Sequence, residues 1–231
     1  LSASARRRHN SVYFFRPGEQ APQRYDKMHL VPFGEYLPWV GLVPGLKPLV
    51  FQYLTPYGFD YTLDAGERAT IFHLPGDKNQ TQRLSGGRVG LATPICFEDG
   101  NGRLCRRMVW GPGKGKRAEV LVNLTNDGWF VGSAQPWQHV QVAAFRCVEN
   151  RVPMARAVNT GVSGFLDSLG RPRQLVEQAG RSTSVAGTAT ARVRLDPRWT
   201  LYSLVGDWPA VVMAAGCGIL LLGGGLRTDR L

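Results

Sequence analysis

Nineteen consecutive residues near the C-terminus, Trp208 to Leu226 (WPAVVMAAGCGILLLGGGL), carry no charge. As a helix rising ~1.5 Å per residue they reach about 30 Å, the thickness of a bilayer's hydrocarbon core. The alternative is a helix buried in a water-soluble core. The five glycines in the run argue against it, since each costs such a helix about 1 kcal/mol, whereas in lipid glycine lets helices pack closely. Asp207 and Trp208 form a polar and aromatic border on one side, and Arg227, Asp229 and Arg230 close the other. The expectation is one transmembrane helix over 208–226 and a short tail over 227–231. Arg192, Arg194 and Arg198 precede the run just as Arg227 and Arg230 follow it, so the positive-inside count does not orient it.

The rest of the 231-residue chain is globular in composition, 43% hydrophobic and 19% charged, and long enough for one domain over 1–200 with a core of ordinary size. Its 28 basic and 17 acidic side chains leave a net charge of +11. The clusters Arg6-Arg7-Arg8 and Lys114 to Arg117 lack the stacking aromatics of a single-strand binder, which weighs against nucleic acid as a partner. An anionic membrane surface satisfies the same charge. Cys96, Cys105, Cys147 and Cys217 form no C-x-x-C pair, and only four histidines accompany them. Neither a zinc site nor a disulfide framework is expected, and no cofactor or metal. The chain opens on Leu1 with no signal-like apolar stretch after it, as in a fragment whose beginning lies elsewhere.

Ahead of the apolar run, short apolar segments alternate with helical ones, the pattern of an α/β layered domain. Strands are expected at Ser11–Arg16, Ala69–Leu74, Arg88–Ile95, Glu119–Leu124, Pro153–Val158 and Ser182–Thr190, each bounded by Gly, Pro or Asn. The clearest helix covers Pro136–Asn150, with Trp137, Val140, Ala144 and Val148 as its core stripe. Pro38–Gly66, rich in proline, glycine and aromatics, reads as a long loop. Its Trp39, Leu42, Leu46, Leu49 and Phe51 either dip into a lipid boundary or pack on the core.

The chemistry is concentrated in the run from Gly90 to Asp99, GLATPICFED, an apolar strand that ends in a cysteine and turns into acids and glycine. A thiol where a strand stops and a helix begins is exposed near amide dipoles that favour thiolate. Taken alone, Cys96 reads more readily as a buried inert thiol. Lys27 and Glu35 flank a turn, Tyr25-Asp26-Lys27 followed by Pro32 to Pro38, and Lys27 alone reads as a solvated surface charge.

Four segments change that balance: YDKMHLVPFGEYLP (Tyr25–Pro38), PICFED (Pro94–Asp99), NLTNDGWF (Asn123–Phe130) and PWQHVQVAAFRCVENRVPMARAVNTGVSGFLDSLGR (Pro136–Arg171). Together they resemble the nitrilase, or carbon-nitrogen hydrolase, superfamily, and within it the apolipoprotein N-acyltransferase family, from about Asn10 to the end. The resemblance implies a nitrilase-like layered α-β-β-α domain, truncated here at its N-terminus and followed by a transmembrane helix. It implies a bacterial inner-membrane enzyme with a periplasmic catalytic domain and a cytoplasmic tail. Its partners would be the bilayer, a membrane phospholipid as acyl donor and a diacylglyceryl apolipoprotein as acceptor. A fatty acyl chain would pass through a cysteine thioester to the acceptor's N-terminal amine.

Position by position, the resemblance makes Cys96 the nucleophile, Lys27 the triad lysine and Glu35 a further acid that orients and neutralises it. Lys27 and the backbone N–H of Phe97 would face the oxyanion. Glu98 follows as a supporting residue, and Phe97 stands where the family often has tyrosine, so a hydroxyl role there is absent. Asn126, Asp127, Trp129 and Phe130 would wall the pocket, with a core role open for Trp129 and Phe130. The family's general base is a glutamate upstream of the lysine segment in a Pro-Glu strand. Before Lys27 the only acids are Glu19, which reads as a hairpin-turn residue, and Asp26. The base is therefore expected outside this chain, which alone would be inactive. Two other readings stay open: a nitrilase-type amidase, and an inactive membrane-anchored fragment with a binding role.

Overall fold

The computed structural model describes residues 7–39, 45–54, 60–75, 87–111, 115–130 and 132–228. Three strands of mostly apolar or small residues form the centre: β4 (Arg88–Ala92), β5 (Val120–Asn126) and β6 (Met154–Asn159). They run parallel, Leu91 opposite Val120 and Leu121 opposite Met154, through to Asn126 opposite Asn159. Shorter antiparallel strands complete a six-stranded sheet: β3 (Ile71–Pro75) on one side, then β7 (Gly164–Leu166) and β8 (Pro172–Leu175) on the other. Parallel strands are buried on both faces, and loops at their C-terminal ends collect functional residues. A separate hairpin, β1 (Ser11–Phe14) with β2 (Gln23–Asp26), joins this core through Phe14 stacked on Phe72 and through the fully buried Tyr25. At Gly90 the strands approach so closely that a Cβ would stand 2.0 Å from the Arg117 carbonyl oxygen, so only glycine fits.

Two amphipathic helices pack against each other and against the turn that follows β4. The first, α2 (Gly102–Trp110), begins where Asn101 accepts a hydrogen bond from the Leu104 amide and ends at Gly111, whose φ is 55°. Its buried Leu104, Cys105, Met108 and Val109 face the core. The second, α3 (Gln135–Asn150), agrees with the expected Pro136–Asn150 helix to one residue, but its buried stripe is rotated. Pro136, His139, Val140, Ala143, Cys147 and Asn150 are inside, while Trp137 and Val148 of the expected stripe are exposed. Polar His139 and Asn150 on the inner face are what mislead an apolar count.

Five of the six expected strands overlap a strand of the structure, which in three of them runs one or two residues past the expected C-terminal end. Ser182–Thr190 does not: it lies beyond an isolated bridge between Gln178 and Arg181, and Ser184 has a φ of 54°, which ladder pairing does not accommodate. The sheet's last two places go to β7 and β8. Pro38–Gly66 contains a helix, α1 (Leu46–Leu54), with 40–44 and 55–59, including Leu42, outside the described residues. Phe51 is buried edge-on to Tyr61 and is no lipid-facing residue, whereas Trp39, Leu49 and Tyr53 are exposed.

Near the end, α4 (Leu201–Val205) leads into α5 (Trp208–Thr228), which coincides with the uncharged run. Among the described residues no helix is long and apolar enough to cross a membrane. Side chains of α5 are described as far as Gly223, and Val212, Met213, Ile219, Leu220, Leu221 and Leu222 stand exposed. Arg106 of α2 ties the base of this arm to the domain by donating to the carbonyls of Ser203 and Leu204.

Candidate functional site

Beyond β4 the chain makes a last isolated bridge at Ile95, beside Leu124, and then turns sharply at Cys96. Cys96 has a φ of 51°, a left-handed conformation that costs a non-glycine residue about 1 kcal/mol or more. It opens a 3-10 turn, Cys96–Gly100, and the α-helix expected directly after it begins only at Gly102. Asn123, fully buried on β5, holds the turn from beneath by donating from Nδ2 to the carbonyls of Pro94 (3.0 Å) and Cys96 (3.1 Å). Cys96 itself is half-buried.

Lys27 follows β2 directly and is only 1% exposed, so it is no solvated surface charge. Its Nζ donates to Glu35 Oε2 at 2.6 Å. The Val31 amide also donates to that oxygen (2.8 Å), and Asn10 Nδ2 donates to Glu35 Oε1 (3.2 Å). A buried ammonium needs a paired, hydrogen-bonded partner, and Glu35 is that partner.

No hydrogen bond joins Cys96 to Lys27 directly among the described residues; Glu98 joins their neighbours. Its completely buried carboxylate accepts from the amides of Met28 (2.7 Å) and His29 (2.9 Å), just after Lys27, and of Ile95 (2.7 Å), just before Cys96. The Tyr25 hydroxyl donates to it as well, at 2.9 Å. Burial raises the Glu98 carboxyl above its ordinary range, against the pull of those four donors. Phe97 and Trp129 are largely exposed, Trp129 in the turn Gly128–Phe130 that follows β5. Trp129 and the half-exposed Phe130 are therefore not core residues.

Reading the sequence missed a chain of buried charges beside this turn. His139 is 3% exposed and bonds Asp127 through Nδ1 and Asp99 through Nε2, both at 2.9 Å. Arg156 Nη1 donates to the other Asp99 oxygen at 2.8 Å. Asp127, expected in the pocket wall, is thus a buried partner of His139. The signal available was a histidine in an otherwise apolar helical stripe, three residues after Pro136. Burial opposes charge on His139, but the Asp127 and Asp99 carboxylates outweigh it and raise its pKa to about 9. That exceeds the unfolded value of about 6.5, so the imidazolium's contribution to stability is fully present below about pH 6.5 and lost as pH rises through about 9. Denaturant titrations between those values are expected to show the folded state weakening by on the order of 3 kcal/mol. In His139→Gln the slope should flatten, and an unchanged slope would show that another group is responsible.

The acids ahead of Lys27 are engaged elsewhere. Glu19 pairs with Arg16 in the β1–β2 turn, and Asp26 accepts from Ser11 and Arg24. Among the described residues no three His, Cys, Asp or Glu side chains are placed to hold a metal ion. A polar cleft of about 380 Å³ runs from His29 and Phe97 past Arg146 and Glu149 to Tyr202 and Asp207, at the base of α5.

The model of the carbon-nitrogen hydrolase family matches residues 2–202. The chain belongs to that family. Among curated relatives, an apolipoprotein N-acyltransferase of Geobacter metallireducens is 34% identical over 213 residues, 91% of this chain and 35% of that protein. Apolipoprotein N-acyltransferase 2 of Treponema pallidum is 32% identical over 219 residues, 94% of this chain and 35% of the relative. The chain spans about a third of the length of these relatives. A solved carbon-nitrogen hydrolase superfamily structure from Xanthomonas campestris aligns with 75% of this chain and 54% of its own, at 18% identity and a TM-score of 0.47.

Proposed function

We propose that the chain is the catalytic portion of an apolipoprotein N-acyltransferase, with Cys96 as nucleophile, Lys27 as oxyanion cation and Glu35 as the acid that holds Lys27. The observation that carries this reading is the Glu98 clamp, which ties the turn of a half-buried thiol to the segment of a buried lysine. Such an arrangement suits acyl transfer: a positioned nucleophile beside a fixed cation, with little to reorganise during reaction.

In the first half-reaction the Cys96 thiolate attacks the ester carbonyl of a membrane phospholipid. The S–C bond forms, the oxyanion is met by Lys27 and the Phe97 amide, and the C–O bond to glycerol breaks. The thiol's proton passes through a general base to the departing lysophospholipid oxygen. In the second half-reaction the N-terminal amine of a diacylglyceryl apolipoprotein attacks the thioester, an amide forms, the C–S bond breaks and one amine proton returns to sulfur. We assign the base to sequence outside these residues, because both acids before Lys27 are paired elsewhere and the relatives are much longer. Phe97 and Trp129 offer exposed apolar surface to the acyl chain. The uncharged run 208–226, whose last residues lie beyond the side chains described for α5, would sit in the bacterial inner membrane as a transmembrane helix, with 1–200 as the periplasmic catalytic domain and 227–231 as the tail.

The test uses the full-length protein, phospholipid vesicles with radiolabelled acyl chains, and a lipopeptide with a free N-terminal diacylglyceryl cysteine. Label should appear first on the protein, released by neutral hydroxylamine as a thioester is, and then on the lipopeptide amine. Ammonia released from short amides with no label on the lipopeptide would instead identify an amidase.

A further inference from the structure

Two acids follow the thiol in sequence, and the 3-10 turn sends them to different partners. Glu98 reaches the lysine segment, while Asp99 reaches α3 and β6 through His139 and Arg156. Asp99 is completely buried, and its two carboxylate oxygens are divided between these two cations. His139 in turn bridges to Asp127, the residue after β5, whose second oxygen Oδ2 has no partner among the described residues. The aspartates contribute two negative charges, the imidazolium and guanidinium two positive ones, so the buried chain is neutral only as a set. The ring of Phe97, the residue after the thiol, lies tilted beside the imidazole at 6.4 Å between centroids.

We propose that His139 is a positioning residue for the nucleophile: with Asp127 and Arg156 it holds Asp99, and through Asp99 it keeps Cys96 in its left-handed backbone conformation at the end of β4. This rests on the reading of Cys96 as the nucleophile. A single non-glycine residue stays at positive φ only when its surroundings over-determine it. The Asn123 amide supplies one restraint from below and Glu98 one from the side. The third comes through Asp99 and connects the turn, by way of His139, to Asp127 just after β5 and, directly, to Arg156 within β6. If His139 is lost, Asp99 and Asp127 share one guanidinium, and an uncompensated buried charge is relieved by letting water in at the turn.

The experiment compares the full-length protein with its His139→Gln, Asp127→Asn and double His139→Gln/Asp127→Asn variants. The double variant keeps amides able to hydrogen-bond in place of the lost pair and restores neutrality. Hydrogen exchange is followed over residues 94–100 and over β5, and iodoacetamide alkylation of Cys96 is followed by peptide mapping against glutathione. His139→Gln should exchange about tenfold faster over 94–100 and alkylate Cys96 about tenfold more slowly. Exchange in β5 should stay unchanged, and the double variant should regain most of both losses. Wild-type behaviour of His139→Gln at the turn, or equal loosening of the turn and β5, would overturn the proposal. Cys96 reacting no faster than glutathione in the unmodified full-length protein would overturn its reading as nucleophile, and the exchange data would still decide what holds the turn.

Discussion

Cys96→Ala is expected to abolish acyl transfer and every trace of the hydroxylamine-sensitive acyl-protein, while Cys105→Ala, Cys147→Ala and Cys217→Ala leave both intact. The four thiols differ in access. Cys105 and Cys147 are completely buried, and burial pushes both well above the ordinary thiol range, so neither forms a thiolate that a lipid ester could meet. Cys217 is exposed, but it sits on the apolar α5, without the acids, amides and lysine that surround the Cys96 turn. Only Cys96 combines partial exposure with a turn fixed against a buried cation. Without a nucleophile the two-step route is closed, and the loss should exceed the roughly 10²- to 10⁴-fold that a missing general base costs. The measurement is intact-protein mass after incubation with the vesicle donor. An acyl-protein that persists in Cys96→Ala, or one that disappears in Cys217→Ala, would move the nucleophile elsewhere.

What the sequence made legible was residue types at short range. Cys96 could be placed at a strand end, and Lys27 with Glu35 across one turn, because each pattern is contiguous; the bond between Lys27 and Glu35 then appears in the structure. The clamp was not legible, because Glu98 bonds backbone amides about seventy residues away, and amides leave no mark in a sequence. The His139 chain was hidden for a related reason. Four polar residues from four elements neutralise one another, so each alone resembles a solvated side chain, and counting only apolar positions turned α3 to the wrong face. In the sheet, the long central strands carried enough Val and Leu to be found. Pro172–Leu175 is mostly exposed and polar, and only pairing with β7 makes it a strand. Conversely, Ser182–Thr190 has small and β-branched residues but a backbone bend that sequence pattern does not register.

The largest effect on folding should come from Glu98. Glu98→Ala removes the acceptor of three backbone amides and a phenol at once, around a carboxylate that is itself completely buried. Each stranded buried donor costs about 1–3 kcal/mol. Releasing a buried carboxylate from its desolvation offsets part of that sum, which leaves a net loss of about 3–5 kcal/mol, the range seen when one partner of a buried pair is removed. A loss of that size is a large share of the roughly 5–15 kcal/mol that holds an ordinary domain folded, so Glu98→Ala is expected to unfold at a much lower urea concentration than the unmodified protein. Glu98→Gln separates folding from chemistry. Its single carbonyl oxygen can still take the Met28 and His29 amides, but its NH₂ group then faces the Ile95 amide, donor against donor, just before Cys96. The domain should fold with about 2 kcal/mol lost, yet the Cys96 turn is no longer fixed to the lysine segment, and acyl-protein formation should fall about a hundredfold. Urea unfolding of the two variants, followed by the acyl-protein assay on Glu98→Gln, checks both halves. If Glu98→Gln is as stable and as active as the unmodified protein, the carboxylate does not align Cys96 with Lys27, and the alignment must come from Asn123 and Asp99 alone.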